Sequence, residues 1–349
     1  MTPPRRVRIG AVGLGRMGRF HAANLTHRVA AAELVRVADA AEHVARSTGE
    51  SLGCEWTTSF DDVLGDPDID AVVIVTPTPF HAEMIERAAA AGKHVFCEKP
   101  IAFDRESTER AIDAARSTGV KLQIGFHRRF DPDWRAAVDR IQAGELGDVL
   151  MFRTSLRDMR PPSIDYIRTS GGFFVDVSIH DLDTARWMVG EIDEIAAFGG
   201  AIAEPAIAEV GDIDTALLFL RFASGALGVI DNTRAAGYGY ECSTEVVGSQ
   251  ATARIGNHRR THVEWLTEGG AAVDWVQDFT ERYRDAYRIE LEAFAEAVRA
   301  DAPVTPSGTD ALAALVLCQA AGRSLAEGRP VSLDRERSAS GVVYELREP

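Results

Sequence analysis

Short apolar runs alternate with helix-length segments through the first third of the chain, at Val7 to Val12, Glu33 to Ala38, Ala71 to Val75, His94 to Cys97 and Lys121 to Ile124. Near-continuous apolar strands separated by helices predict a parallel sheet covered on both faces. A bridging helix is expected over Pro132 to Ala143, and beyond it the apolar runs lengthen and alternate with polar positions. They are broken at Ser224-Gly225, Gly248-Ser249 and Gly269-Gly270, which are hairpin signals. Two helix-length stretches follow, Glu281 to Ala300 and Thr309 to Glu327, and neither a low-complexity linker nor an internal repeat interrupts the pattern. The predicted fold is α/β joined to α+β. It pairs a Rossmann dinucleotide-binding domain over residues 1–124 with an open-faced, largely antiparallel β-sheet domain over residues 125–349. Domain exchange near Gly125 is a continuous crossing, so the expected substrate site is the cleft between the domains.

The first apolar run leads directly into Gly13-Leu14-Gly15-Arg16-Met17-Gly18 and then the helix-like stretch Arg19 to Leu25. In such a G-x-G-x-x-G the first glycine permits a tight turn, the second admits a pyrophosphate to the backbone, and the third lets helix and strand pack closely. The unpaired N–H groups and positive dipole end of the helix then receive the phosphates. Any strand-to-helix turn can want a glycine, so the context matters. The next strand-like run ends at Asp39, 21 residues past Gly18, where such folds place the acid that binds ribose hydroxyls. Loop and acid together read as a nicotinamide dinucleotide site. Asp39 would meet the 2′-phosphate of NADP with like charge, which favours NAD. Arg36 and Arg46 are the residues that would reverse this preference if either reached the adenosine ribose.

Composition narrows the picture further. A chain of 349 residues with 46% hydrophobic and 26% charged residues has material for about two domains. A net charge of −15 opposes a nucleic-acid backbone. Cys54, Cys97, Cys242 and Cys318 are scattered and form no zinc-ligand spacing, so free thiols in a reducing compartment and no metal are expected. No apolar stretch is long enough to span a bilayer. Arg5-Arg6 precedes the dinucleotide strand itself rather than an export signal, and a cytoplasmic location is expected.

Three clusters carry candidate chemistry. Lys99, in Glu98-Lys99-Pro100, ends an apolar strand, and Lys93 and Lys121 are the only other lysines. The carboxyl end of a parallel strand is where ligands bind, and lysine can take part in proton chemistry where arginine cannot. A solvated surface lysine is the bland alternative. In Gly171 to Asp181, Ser178 and Asp181 form a capping-box pattern before Leu182, Ala185, Trp187 and Met188. A helix starting there would leave Asp176 just outside its end and put His180 in its first turn, where the dipole favours a neutral imidazole able to accept a proton. The alternative is a capping segment with an incidental histidine. The run Gly125-Phe126-His127-Arg128-Arg129-Phe130-Asp131 reads equally as an interdomain salt-bridge network or as a source of substrate contacts from His127 and Arg128. Tyr238 and Tyr240 could bond a polar ligand or simply pack.

Taken in order, these motifs resemble the glucose-fructose oxidoreductase and inositol dehydrogenase family, Gfo/Idh/MocA, over nearly the whole chain. The resemblance runs through the Gly13 to Gly18 loop, Thr76-Pro77-Thr78, Glu98-Lys99-Pro100, Gly125 to Asp131, Gly171 to Asp183 and Tyr238 to Tyr240. Arg157-Asp158 ahead of Tyr166-Ile167, Ser170-Gly171-Gly172, and Asp274-Trp275 preceding Tyr287 are most similar to the inositol 2-dehydrogenases. The resemblance implies that Lys99, Asp176 and His180 are catalytic. It implies NAD contacts from Gly13, Gly15, Arg16, Met17, Gly18, Asp39, Thr76, Pro77, His81, Glu98 and Lys99. It implies substrate contacts from Lys99, His127, Arg128, Asp158, Asp176, His180 and Tyr240, and a homotetramer packed through the open sheets. Met159-Arg160 before Pro161-Pro162, and His127, depart from many relatives and leave the polyol open.

The expected reaction is NAD-dependent oxidation of one secondary hydroxyl of a cyclitol, with myo-inositol to its 2-keto form leading and inositol catabolism as the context. His180 is the expected base, Lys99 the group that stabilises the developing oxygen charge, and Asp176 the orienting acid. None of the lysines has a tyrosine four residues upstream, and no Cys/His set supplies a catalytic zinc. Another polyol or sugar (scyllo-inositol, an aldose or an anhydrosugar) is the nearest alternative. An NAD-dependent redox-neutral glycosidase and a cofactor-binding sensor come from other classes. No nucleic-acid or membrane partner is expected.

Overall fold

A computed structural model describes residues 5–338 and 341–347. The chain divides into two compact units, one running to Phe130 and taking in Asp285–Leu312, the other made of Asp131–Arg284 and the chain from Ala313 onward.

In the first unit six strands form one parallel sheet: β1 (Val7–Val12), β2 (Ala32–Ala38), β3 (Glu55–Thr57), β4 (Ala71–Ile74), β5 (His94–Cys97) and β6 (Leu122–Ile124). Their order is β3-β2-β1-β4-β5-β6, the doubly wound order that opens a ligand crevice at the carboxyl ends beside β1. Five of these strands follow the predicted apolar runs. The edge strand β3 has only three residues, all at least partly exposed, and so shows no apolar run to read. Ile9, Ala11, Val37, Val73 and Phe96 build the core, and helix Arg284–Ala300 buries Leu291, Phe294 and Ala295 against it. A late segment thus completes the dinucleotide unit.

In the second unit eight strands form one sheet: β7 (Val149–Arg157), β8 (Ile192–Gly200), β9 (Thr215–Phe222), β10 (Leu227–Thr233), β11 (Glu241–Gly248), β12 (Thr252–Ile255), and, after the hairpin β13 (Arg259–Thr267) with β14 (Gly270–Trp275), β15 (Val331–Ser338) and β16 (Gly341–Leu346). The order is β12-β11-β7-β10-β9-β8-β15-β16. Every pairing is antiparallel except β10 with β7, which bears out a largely antiparallel sheet. The three predicted glycine pairs turn β9 into β10, β11 into β12 and β13 into β14. One face is apolar and buried, as β9 shows with Ala216, Leu218, Leu220 and Phe222 inward and Leu217, Phe219 and Arg221 outward. Among the described residues no helix is long and apolar enough to cross a membrane.

Candidate active site

In the dinucleotide unit the glycine loop joins β1 to helix Arg16–His27, whose cap position is Gly15. Gly13 has φ +86°, and a Cβ there would lie 2.7 Å from the backbone of Val75 and Thr76. A Cβ on Gly18 would lie 1.7 Å from the Gly13 carbonyl oxygen. Both positions therefore require glycine, which brings the Thr76-Pro77 loop against the turn. At Gly15 a Cβ would meet nothing within 4 Å, and the helix start carries neither a side-chain cap nor an acid in its first turn. Arg16 is exposed there and Met17 half-buried. An uncapped helix start open on one side fits a dinucleotide pyrophosphate.

Asp39, beyond β2, accepts from the Leu14 N–H at 2.8 Å and from the Ala41 N–H at 2.9 Å, which draws its carboxylate against the loop. Arg36 pairs with Glu55 and Asp66, and Arg46 pairs with Glu42 and lies over the Trp56 ring. Both arginines are thus engaged by acids, which agrees with NAD rather than NADP. His81 is buried, with its ring nitrogens 2.8 Å from the Pro100 carbonyl and 2.6 Å from that of Thr76. Burial lowers its pKa, and the ring braces the Thr76 loop to the segment after Lys99. Lys93 donates to the carbonyls of Asp66 and Ile69, and Lys121 pairs with Asp301. Those two lysines do structural work. Lys99 is half-buried just beyond β5, where its backbone N–H reaches Glu98 Oε2 at 3.3 Å. His127 and Arg128 are buried, and His127 stacks on Tyr287 with ring centroids 4.5 Å apart.

In the sheet unit the helical start differs from the capping-box expectation. Ser178 is itself helical, makes no cap, and donates its hydroxyl to Asn232 Oδ1 at 2.7 Å. A π-helical turn, Phe174–Ser178, runs directly into helix Ile179–Val189. Asp176 therefore lies inside the helical segment, and His180 lies more than a turn from its start. The dipole argument for a neutral His180 does not apply. The physical reason is tertiary: Asp181, fully buried, accepts from Asn232 at 2.9 Å and Thr154 at 3.3 Å, so neither member of the expected box serves the backbone. π-Turns recur at functional sites because they re-aim a side chain within a helix.

Asp176 shows what is gained. Its Oδ1 accepts from the Tyr166 hydroxyl at 2.9 Å and its Oδ2 from Arg234 at 3.0 Å. Arg234 is 1% exposed and also lies 5.5 Å from the Phe173 ring centroid. Although Tyr166 is 48% exposed as a residue, desolvation at its hydroxyl end, and then the Asp176 charge, push the phenol up, so it remains a donor. Asp158 is fixed through its backbone, donating to the Thr233 carbonyl at 2.9 Å and accepting from Ala236 at 2.8 Å. Tyr240 is buried against Phe279 and Tyr283, whereas Tyr238 is exposed and bonds Glu241. Arg129 pairs with Asp310 inside the first unit and Asp131 with Arg282 inside the second, so these two members of the cluster serve packing.

Sequence reasoning assigned no role to Arg234 and only quoted Tyr166. The available signal was Asn232, a polar residue at an inward position of β10 that announces a polar network below the sheet.

Comparison with known proteins agrees with this arrangement. Residues 7–126 match the oxidoreductase family Gfo/Idh/MocA, NAD-binding Rossmann fold, and residues 138–333 match its C-terminal alpha/beta domain. The chain is 40% identical over 339 residues to a scyllo-inositol 2-dehydrogenase (NAD(+)) of Bacillus subtilis (strain 168), covering 97% of this chain and 99% of that one. It is 42% identical over 329 residues to an inositol 2-dehydrogenase of Rhizobium meliloti (strain 1021), covering 94% and 99%. A scyllo-inositol dehydrogenase from Lactobacillus casei, solved with NAD(H) and scyllo-inositol bound, superposes with a TM-score of 0.89 at 32% identity, covering 94% of this chain and 99% of that one. With both family domains matched in order around an open glycine loop, the chain belongs to the Gfo/Idh/MocA oxidoreductases.

Proposed function

We propose that the chain oxidises one secondary hydroxyl of a cyclitol with NAD, the leading reaction being myo-inositol to 2-keto-myo-inositol. The carrying observation is near full-length similarity to dehydrogenases named for inositol. Residues 1–124, completed by helix Arg284–Ala300, serve the cofactor, and the rest of 125–349 serves the substrate and the contacts between copies. Held at the glycine loop, NAD supplies the hydride acceptor. His180 takes the proton of the reacting hydroxyl, and Lys99 donates to the same oxygen as its charge develops. Asp176, held by hydrogen bonds from Arg234 and Tyr166, balances the charge and orients its neighbours. His127, Arg128, Asp158 and Tyr240 supply polar contacts to the ring hydroxyls.

The decisive assay supplies NAD with myo-inositol, scyllo-inositol, aldoses and aryl glycosides, and follows NADH and released phenol together. Cyclitol-dependent NADH is expected. Phenol release without net NADH would overturn the reading in favour of the redox-neutral glycosidase.

The reading includes a homotetramer in the cytoplasm. Its support is the outer face of the sheet, where Met151, Phe198, Leu217, Phe219 and Leu227 are exposed on neighbouring strands. Light scattering that finds only monomer at micromolar concentration would remove it.

A further inference from the structure

Beside Glu98, already expected at the cofactor, His21 and Glu290 carry no role so far, and the three form a cluster whose ligand-type atoms all lie within 4.8 Å of one another. His21 comes from the glycine-loop helix, Glu98 from the end of β5, and Glu290 from helix Arg284–Ala300. His21 and Glu290 are 0% exposed. His21 Nε2 and Glu98 Oε1 are 2.7 Å apart, a hydrogen bond, and Glu98 Oε2 is approached by the Lys99 N–H. Among the described residues neither carboxyl oxygen of Glu290 has a hydrogen-bond partner. Tyr287, on the same helix as Glu290, packs its ring on His21, as does Phe96 from β5.

An ionised carboxylate in this position would be desolvated, without a donor, and beside a second carboxylate. Each of these conditions favours the protonated form. A proton on Glu290 leaves the His21 to Glu98 hydrogen bond in place and removes the charge of one of the two adjacent carboxylates.

We propose that Glu290 is a neutral carboxylic acid whose O–H turns toward the Glu98 carboxylate, and that it is a positioning residue for the strand end carrying Glu98 and Lys99. Glu98 then gathers donors from the glycine-loop helix, from the Lys99 backbone and from helix Arg284–Ala300, tying three elements of the dinucleotide unit to one carboxylate. Burial, and after it the Glu98 charge, push the Glu290 carboxyl well above the ordinary glutamate range. The titratable groups brought against it are Glu98 and His21, with Tyr287 on its own helix. The positioning role rests on the NAD reading above, whereas the charge state does not.

Infrared spectra of the full chain at neutral pH should show a carboxylic-acid carbonyl band that Glu290→Gln removes. NAD affinity, read by fluorescence without any polyol, should stay within about threefold in Glu290→Gln, whose amide still donates. It should weaken by about tenfold in Glu290→Asp, whose acid is one methylene short of Glu98. Absence of the band overturns the neutral acid, and wild-type NAD affinity in Glu290→Asp overturns the positioning role. A stoichiometric metal in the purified protein that is lost in Glu290→Gln overturns the proton as occupant. Failure of the cyclitol reading would show in the substrate panel and leave these readouts unchanged.

Discussion

Arg234→Met takes away the guanidinium 3.0 Å from Asp176 while keeping most of the aliphatic volume. Arg234 is 1% exposed and the Asp176 side chain 15%, so little water is present to replace the lost partner. Breaking a buried ion pair from one side typically costs about 3–5 kcal/mol. Asp176 retains the Tyr166 hydroxyl at 2.9 Å, which places the expected loss of stability near the low end, about 3 kcal/mol. Tyr166→Phe removes one hydrogen bond to a charged acceptor, about 1.5–3 kcal/mol. If half of each loss falls on the transition state through the Asp176 carboxylate, turnover should drop by roughly tenfold for Arg234→Met and by about four- to tenfold for Tyr166→Phe. Denaturation midpoints at one fixed protein concentration and turnover at saturating NAD and polyol measure the two effects. Because both residues are assigned to the Asp176 carboxylate, their effects on turnover should shrink in an Asp176→Asn background. An Arg234→Met protein with normal midpoint and turnover, or one whose kinetic loss is equal in the Asp176→Asn background, would refute the reasoning.

On the proposed assignment of both residues to one substrate oxygen, His180→Ala and Lys99→Met should each lower turnover by about 10²-fold or more, with the double variant only slightly worse. Near-normal turnover in either single variant would make that residue structural. Asp39→Ala should narrow the preference for NAD over NADP, measured as the ratio of kcat/KM values, since Arg36 and Arg46 are engaged by acids in the parent. Glu290→Gln should change the pH dependence of stability. With the folded pKa raised, the parent's contribution from this proton is complete below the ordinary glutamate range and is lost as pH rises toward the folded value, so Glu290→Gln should gain relative stability with pH. The slope over that window approaches about 1.4 kcal/mol per pH unit, and parallel pH profiles of the two proteins would count against it.

The local sequence was sufficient for the elements whose cause is local. Buried parallel strands must be apolar along their length, so β1, β2, β4, β5 and β6 were visible as runs, and the loop from Gly13 to Gly18 was visible because Gly13 and Gly18 have no room for a Cβ. Hairpin turns showed for the same reason. The start of the His180 helix did not, because the choice between a cap and a π-turn depends on where the Ser178 hydroxyl finds its acceptor, and that acceptor is Asn232 on a distant strand.

By itself, then, the sequence determined the alternation of elements, the dinucleotide loop with Asp39, and the residue types available for proton and hydride chemistry. Those follow from periodicity and backbone sterics within a few residues. Only the tertiary structure decided that Arg234 and Tyr166 converge on Asp176, that helix Arg284–Ala300 returns to complete the dinucleotide core, and that Glu290 meets Glu98 and His21 without a donor. Each of these joins groups far apart in the chain, where burial removes the water that would otherwise screen them. A buried group's charge and aim are set by its neighbours in space.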